Sequence, residues 1–167
     1  MSLHKDIIDA IADDLDNHAK LPNHGTLRYK RPRAIQPDDC PLLVVWLVQK
    51  LTQGEGNTTH WWTSLVRVAA SWHEEVIEEA ETLQHDEAEA IRMLDAVEKI
   101  ETRVRWLSRK GLLVPEGAGD HHPTVEAWQV TPGGVRYEPP EMETGLVEGY
   151  AVDILVDVTE GPGEVGP

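Results

Sequence analysis

Residues 41–72, PLLVVWLVQKLTQGEGNTTHWWTSLVRVAASW, constrain this chain more than any other stretch. Two β-prone apolar runs flank a polar segment that contains Gly54, Gly56 and Asn57. The first run, 41–51, is apolar on both faces and reads as a buried strand. The second, 61–72, alternates. Trp62, Ser64, Val66, Val68, Ala70 and Trp72 share one face, and Trp61, Thr63, Leu65, Arg67, Ala69 and Ser71 share the other. The first set is the better core face. A long β-hairpin follows, with a turn over 52–60 whose glycines and polar residues offer few buried contacts.

Helices flank this hairpin. Leu3, Ile7, Ile8, Ile11 and Leu15 form a stripe at helical spacing, with Ser2 placed to cap it and Asp6 and Asp9 near its positive end. Asp13, Asp14 and Asp16 crowd the opposite end, where acids are slightly unfavourable. The strongest helical pattern is 86–110, with Ile91, Leu94, Val97, Ile100, Val104 and Leu107 along one side. Acids fill its first turn, Arg103, Arg105, Arg109 and Lys110 its end, and Gly111 is the stop. After it, 124–130 and 134–138 read as two weaker strands joined by a Thr-Pro-Gly turn. The last strand is clear: Tyr150, Val152, Ile154, Val156 and Val158 face one way and Asp153 and Asp157 the other. That apolar face is expected to pack on the long helix with Ile154 fully buried at its centre. Residues 1–159 read as one domain and 160–167 as a flexible Gly/Pro tail.

Charge narrows the function classes. The 167 residues carry 30 acids against 15 bases, a formal charge of −15, which argues against a general nucleic-acid binder and against an anionic membrane surface. No segment reaches the length of a membrane span. The acidic, amphipathic N-terminus reads as neither a signal nor a transit peptide. Cys40 is the single cysteine, so no internal disulfide forms, and it reads as a small apolar residue.

The basic residues cluster. Lys20, Arg28, Lys30, Arg31 and Arg33 fall within fourteen residues. Pro32 and Pro37 argue against a central strand there, so 26–33 reads as a short strand or extended arm. With Tyr29 as its sole aromatic, the arm suits an acidic protein surface better than nucleic acid. Arg28, Lys30, Arg31 and Arg33 are thus interface candidates, together with Trp61 at the hairpin base, since Trp is enriched at interfaces.

Catalytic and ligand motifs fail on inspection. GPGEVG near the C-terminus cannot open a helix, so it is no dinucleotide fingerprint. HEEVIEE places Ile77 where a zinc protease needs its second histidine. His73, Glu74, Glu78 and His85 leave open a small acidic metal-dependent enzyme, but such residues are ordinary on a solvated connector, as are His121 and His122 in a Gly-rich loop. The expectation is therefore no catalytic residue, no cofactor and no metal.

The order of elements, carried by HKDIIDAIADDL, CPLLVVWL, LVRVAASW, AIRMLDAVEKIETRVRWL and GYAVDILVDV, resembles the tail-terminator proteins of phages with long, non-contractile tails. The resemblance spans about residues 3–159 and rests on a pattern of elements; related neck proteins share parts of it. It implies an α/β (α+β) fold, an antiparallel or mixed sheet with helices packed on one side. It also implies a homohexameric ring in the virion, assembled in the host cytoplasm. Such a ring stops growth of the tail tube protein, offers a surface to the head-tail connector protein, and passes DNA without specific binding. On that reading Glu55, at the acidic hairpin tip, is a candidate for the channel lining, and the loose tip becomes ordered on assembly. A neck or head-completion protein, and a protein-binding module outside any phage, are the alternatives.

Overall fold

The computed structural model describes residues 2–19, 26–32, 35, 40–55, 60–73, 82–110, 125–139 and 147–160. Within them the order is α1 (Leu3–His18), β1 (Thr26–Arg28), β2 (Leu42–Glu55), β3 (His60–His73), α2 (Thr82–Lys110), β4 (Val125–Glu138) and β5 (Val147–Glu160). The strands form one sheet in the order β1-β2-β3-β5-β4. β1 runs parallel to β2, and every other pair is antiparallel. This is a mixed α+β fold, with both helices on one side of the sheet.

α1 begins where expected: the Ser2 side chain accepts from the Lys5 amide at 3.3 Å. Ile7, Ile8, Ile11 and Leu15 are buried in the core. The sheet meets them with Val45, Val66, Val68, Val152, Ile154 and Val156, and Ile154 is fully buried as its register requires. α2 completes the layer with Met93, Ala96, Val97, Ile100, Val104 and Leu107. Ile91 and Leu94, placed on this stripe by sequence, are instead 58% and 45% exposed. The stripe is displaced because Met93 and Ala96 continue the 3.6-residue row from Ile100 better than Ile91 and Leu94 do.

Two strand boundaries differ from expectation. The ladder of β2 and β3 continues past residue 52 to Glu55 opposite His60, with irregularities at Leu47/Gln49 and Thr52/Gly54. β5 runs alongside β3 to the same height, pairing Thr159 with Trp61 and Glu160 with His60. With a third strand beside it, the ladder takes in residues 52–55 and 60 of the expected turn; residues 56–59 lie outside the described residues. Glu160, taken as the start of the tail, is the last residue of β5; 161–167 also lie outside. The second difference is β4. The Thr-Pro-Gly segment is a bulge within one strand, since both halves pair with β5 and the register shifts between Pro132 and Gly134. The uninterrupted alternation of β5 templates both halves, and the bulge absorbs the residue that would break the ladder. Gly134 there has φ +125°, a conformation side chains rarely adopt.

The face of the sheet away from the helices is only partly open. Val44, Ala69 and Ala151, adjacent across three strands, are buried there. The chain leaving β1 turns at Tyr29, whose φ is 76°. Arg31 then reaches Glu138 at 2.8 Å. Glu138 belongs to the far edge strand, about 19 Å from β1 by strand spacing, so residues 29–32 cross this face.

Candidate interaction surface

The basic arm is largely engaged with its own chain. Arg28 lies in β1 and holds three carboxylates of α1: Asp13 at 2.5 Å, Asp9 at 3.0 Å and Asp16 at 3.5 Å. Asp9 also accepts from Lys5 at 2.6 Å and from the Tyr29 hydroxyl at 2.5 Å, and Thr26 donates to Asp16. Burial by itself would raise the Asp9 pKa. The hydrogen bonds from Lys5, Tyr29 and Arg28 outweigh it and hold the carboxyl at about 2. On Arg28 burial favours the neutral form, but its bonds to Asp13 and Asp9 prevail and push its pKa up. The acids that seemed misplaced at the end of α1 are thus the docking points of β1. Asp14, on another side of the helix, takes both Nε and Nη2 of Arg103 at 2.6 and 2.8 Å.

Arg31 is the second cation used internally. Besides Glu138, its guanidinium lies 5.8 Å from the centre of the Trp46 ring. Lys30 is exposed, and Arg33 lies outside the described residues. Of the four basic interface candidates, the structure therefore joins Arg28 to α1 and Arg31 to the sheet, and leaves Lys30 at the surface.

Trp61 is 41% exposed. It pairs with Gly54 on one side and Thr159 on the other, and as the strand neighbour of Trp62, which is buried in the core, it stands on the face away from the helices. Trp62 points into the core beneath the ammonium of Lys50, 4.2 Å from its ring centre. Its indole N–H meets no acceptor among the described residues. Nearby, His4 Nε2 lies 3.0 Å from the Ser64 hydroxyl. Burial first and Lys50 second lower the His4 pKa. Glu55 is the final residue of β2, opposite His60; its side chain lies outside the described residues.

Two features had no sequence expectation. Arg67 binds Asp153 through Nε and Nη2 at 2.7 and 3.2 Å, tying β3 to β5 on the face away from the helices. An open cleft of about 480 Å³ lies between the end of α1 and α2, bordered by His18, Asp95, Lys99, Arg103 and Trp106. Arg103 stacks on Trp106 at 3.8 Å, and Trp106 is 44% exposed. The i, i+3 spacing of Arg103 and Trp106 was a usable signal for that stack.

Of the histidine and glutamate cluster, His73 ends β3, Glu74 and Glu78 lie outside the described residues, and the His85 side chain is likewise undescribed. His121 and His122 are also outside. Among the described residues no three of His, Cys, Asp or Glu gather in a way that could hold a metal ion. No described helix is long and apolar enough to cross a membrane.

The chemistry on display is that of contact: ion pairs, exposed aromatics and sheet edges. A scan against protein-family models finds no match to the chain, and a search of curated proteins finds none.

Proposed function

We propose that this chain is a structural protein of a phage virion, a tail terminator. Copies assemble as a six-membered ring on the end of a long, non-contractile tail tube, stop its polymerisation and present a surface to the head-tail connector. No catalytic step and no cofactor enter this reading. The observation that carries it is the architecture itself. A mixed sheet carries both helices on one side, in the element order that resembles the terminator family, and leaves unlike surfaces at its two edges. A head-to-tail ring needs two different surfaces on each copy.

The charge supports the same reading. A ring of chains at −15 each is strongly anionic. A cationic channel would bind phosphate and slow transit, whereas an acidic one lets DNA pass. Lys30 is the described member of the basic arm left for an acidic surface of the connector or a neighbour, where opposite charges steer docking.

Electron microscopy of purified tail tubes mixed with the protein tests the proposal. Rings capping one end of the tubes, with tube growth halted, are expected. Protein that ignores tubes but binds connector complexes would instead make it a neck protein, and protein that binds neither would remove the phage reading. Lys30→Glu should weaken attachment of capped tails to heads, more at low salt than at high.

A further inference from the structure

The sheet ends in two unlike edges that reach the same height. β1 pairs only with Leu43–Val45, so among the described residues Trp46–Glu55 of β2 has no strand on its outer side. β4 is the last strand at the other edge. Four registers run unbroken between them: Gln49–Leu65–Leu155–Thr131, Lys50–Ser64–Val156–Val130, Leu51–Thr63–Asp157–Gln129 and Thr52–Trp62–Val158–Trp128. The unpaired half of β2 and the first half of β4 are therefore level with one another.

These two stretches are also free of acid. In a chain with 30 acids, Trp46–Gly54 contains none and one base, Lys50, while Ala127–Val135 contains no charged residue at all. Val48 and Leu51 on β2 and Val135 on β4 are exposed. Long edges are normally blunted by charge; these carry the single charge of Lys50 on β2, Pro132 on β4 and the bulges at their margins. Between copies that each carry −15, such acid-free strips are where two molecules approach without setting acid against acid.

Strand polarity then selects the arrangement. Three antiparallel steps separate β2 from β4, so they run in opposite directions. Rotating a copy about an axis roughly parallel to the strands keeps those directions and lays β4 antiparallel to the β2 of the next copy. We infer that copies of this chain join head to tail by pairing Trp128–Thr131 of β4 with Gln49–Thr52 of a neighbour's β2, continuing one sheet from subunit to subunit. This rests on the ring reading for its closure, but the pairing stands on the edges alone. The unpaired stretch of β2 is about 34 Å long. With side chains on both faces, a strip about 10 Å deep along all of that stretch gives at most roughly 350 Å² per partner, and the four paired residues give less, well under half the ~800 Å² of a standard interface. So small an area makes an isolated pair a weak, transient contact. A closed ring, in which each copy has two such contacts and the tail tube supplies a template, persists.

Disulfide trapping tests this in a background where Cys40 is replaced by Ser. Leu51→Cys and Gln129→Cys lie in the same register and on exposed positions. Each variant is first required to melt like its parent. With purified tail tubes and a mild oxidant, a mixture of the two single variants should give a cross-linked dimer, and the double variant a ladder of oligomers. Neither single variant alone should cross-link, and pairing Gln129→Cys with Gln49→Cys, two rows away, should cut the yield at least about fivefold. Cross-linking of Gln129→Cys with itself would show two-fold β4–β4 pairing and overturn the inference. Rings on tubes without cross-links would also overturn it while leaving the terminator reading intact. A cross-linked ladder that does not cap tubes would preserve the edge pairing and remove the tail reading, and absence of both cross-links and rings would remove both.

Discussion

Asp9→Asn isolates the electrostatic anchor between α1 and the strand β1. Asp9 receives Lys5, Arg28 and Tyr29 and is held at a pKa of about 2, below the ordinary 3.8 of an aspartate. At 1.36 kcal/mol per unit, the difference corresponds to about 2.4 kcal/mol in favour of the folded ionised form. The side chain keeps 22% of its exposure, so solvent and salt reduce this to about 1–2 kcal/mol. The folded pKa is depressed, so this stability is fully present above the unfolded value near 4. It is lost as pH falls through 2, and about half remains at pH 3. Asparagine keeps the shape and one acceptor but removes the charge. Urea unfolding of parent and variant at pH 7, 5 and 3 should show a stability gap of about 1–2 kcal/mol at the two higher values that falls to about half at pH 3. Other carboxylates titrate in both proteins and cancel in the difference. A gap unchanged from pH 7 to 3 would refute the reasoning, because the effect would then owe nothing to the ionised carboxylate.

Other substitutions probe the remaining links. Ile154→Asp places an unpaired charge at the centre of the sheet's buried face and should cost at least about 4 kcal/mol, with Ile154→Ala near about 3; melting of the aspartate variant at the parental temperature would mean the register of β5 is wrong. A Cβ on Gly149 would fall 1.9 Å from the Ala70 carbonyl oxygen, so Gly149→Ala must push β5 from β3 and should cost at least about 2 kcal/mol in thermal denaturation. A double-mutant cycle on Asp14 and Arg103, whose side chains are 11% and 17% exposed, should return a coupling of about 1–2 kcal/mol, and a value near zero would reject the pair as a tie between the helices.

The second hairpin strand, the two long helices and the final strand were legible because each is written in local periodicity; the first hairpin strand, 41–51, reads as buried on both faces, yet Val48 and Leu51 are exposed. Period two over 61–72 and 150–158, and a 3.6-residue row over 3–15, leave one arrangement that buries an apolar face. Ile154 and the Ser2 cap follow from such patterns without knowledge of the fold. What local pattern could not carry was decided by neighbours distant in the chain. β5 turned an apparent Thr-Pro-Gly turn into a bulge and carried the hairpin ladder on to Glu55, because a third strand supplies hydrogen-bond partners that a two-stranded hairpin lacks. The rotation of α2 about its axis rested on Met93 and Ala96 and exposed Ile91 and Leu94, which look equally apolar in sequence. The candidate surface changed most. A run of cations reads as an exposed patch when each charge is counted alone, yet Arg28 is directed onto Asp9, Asp13 and Asp16, and Arg31 across the sheet to Glu138. Charge is a property of the residue, so the sequence by itself determined that this protein is acidic and where its bases cluster. Which charges stay available to a partner depends on distances of a few ångströms between segments up to about a hundred residues apart, and only the tertiary structure decided that.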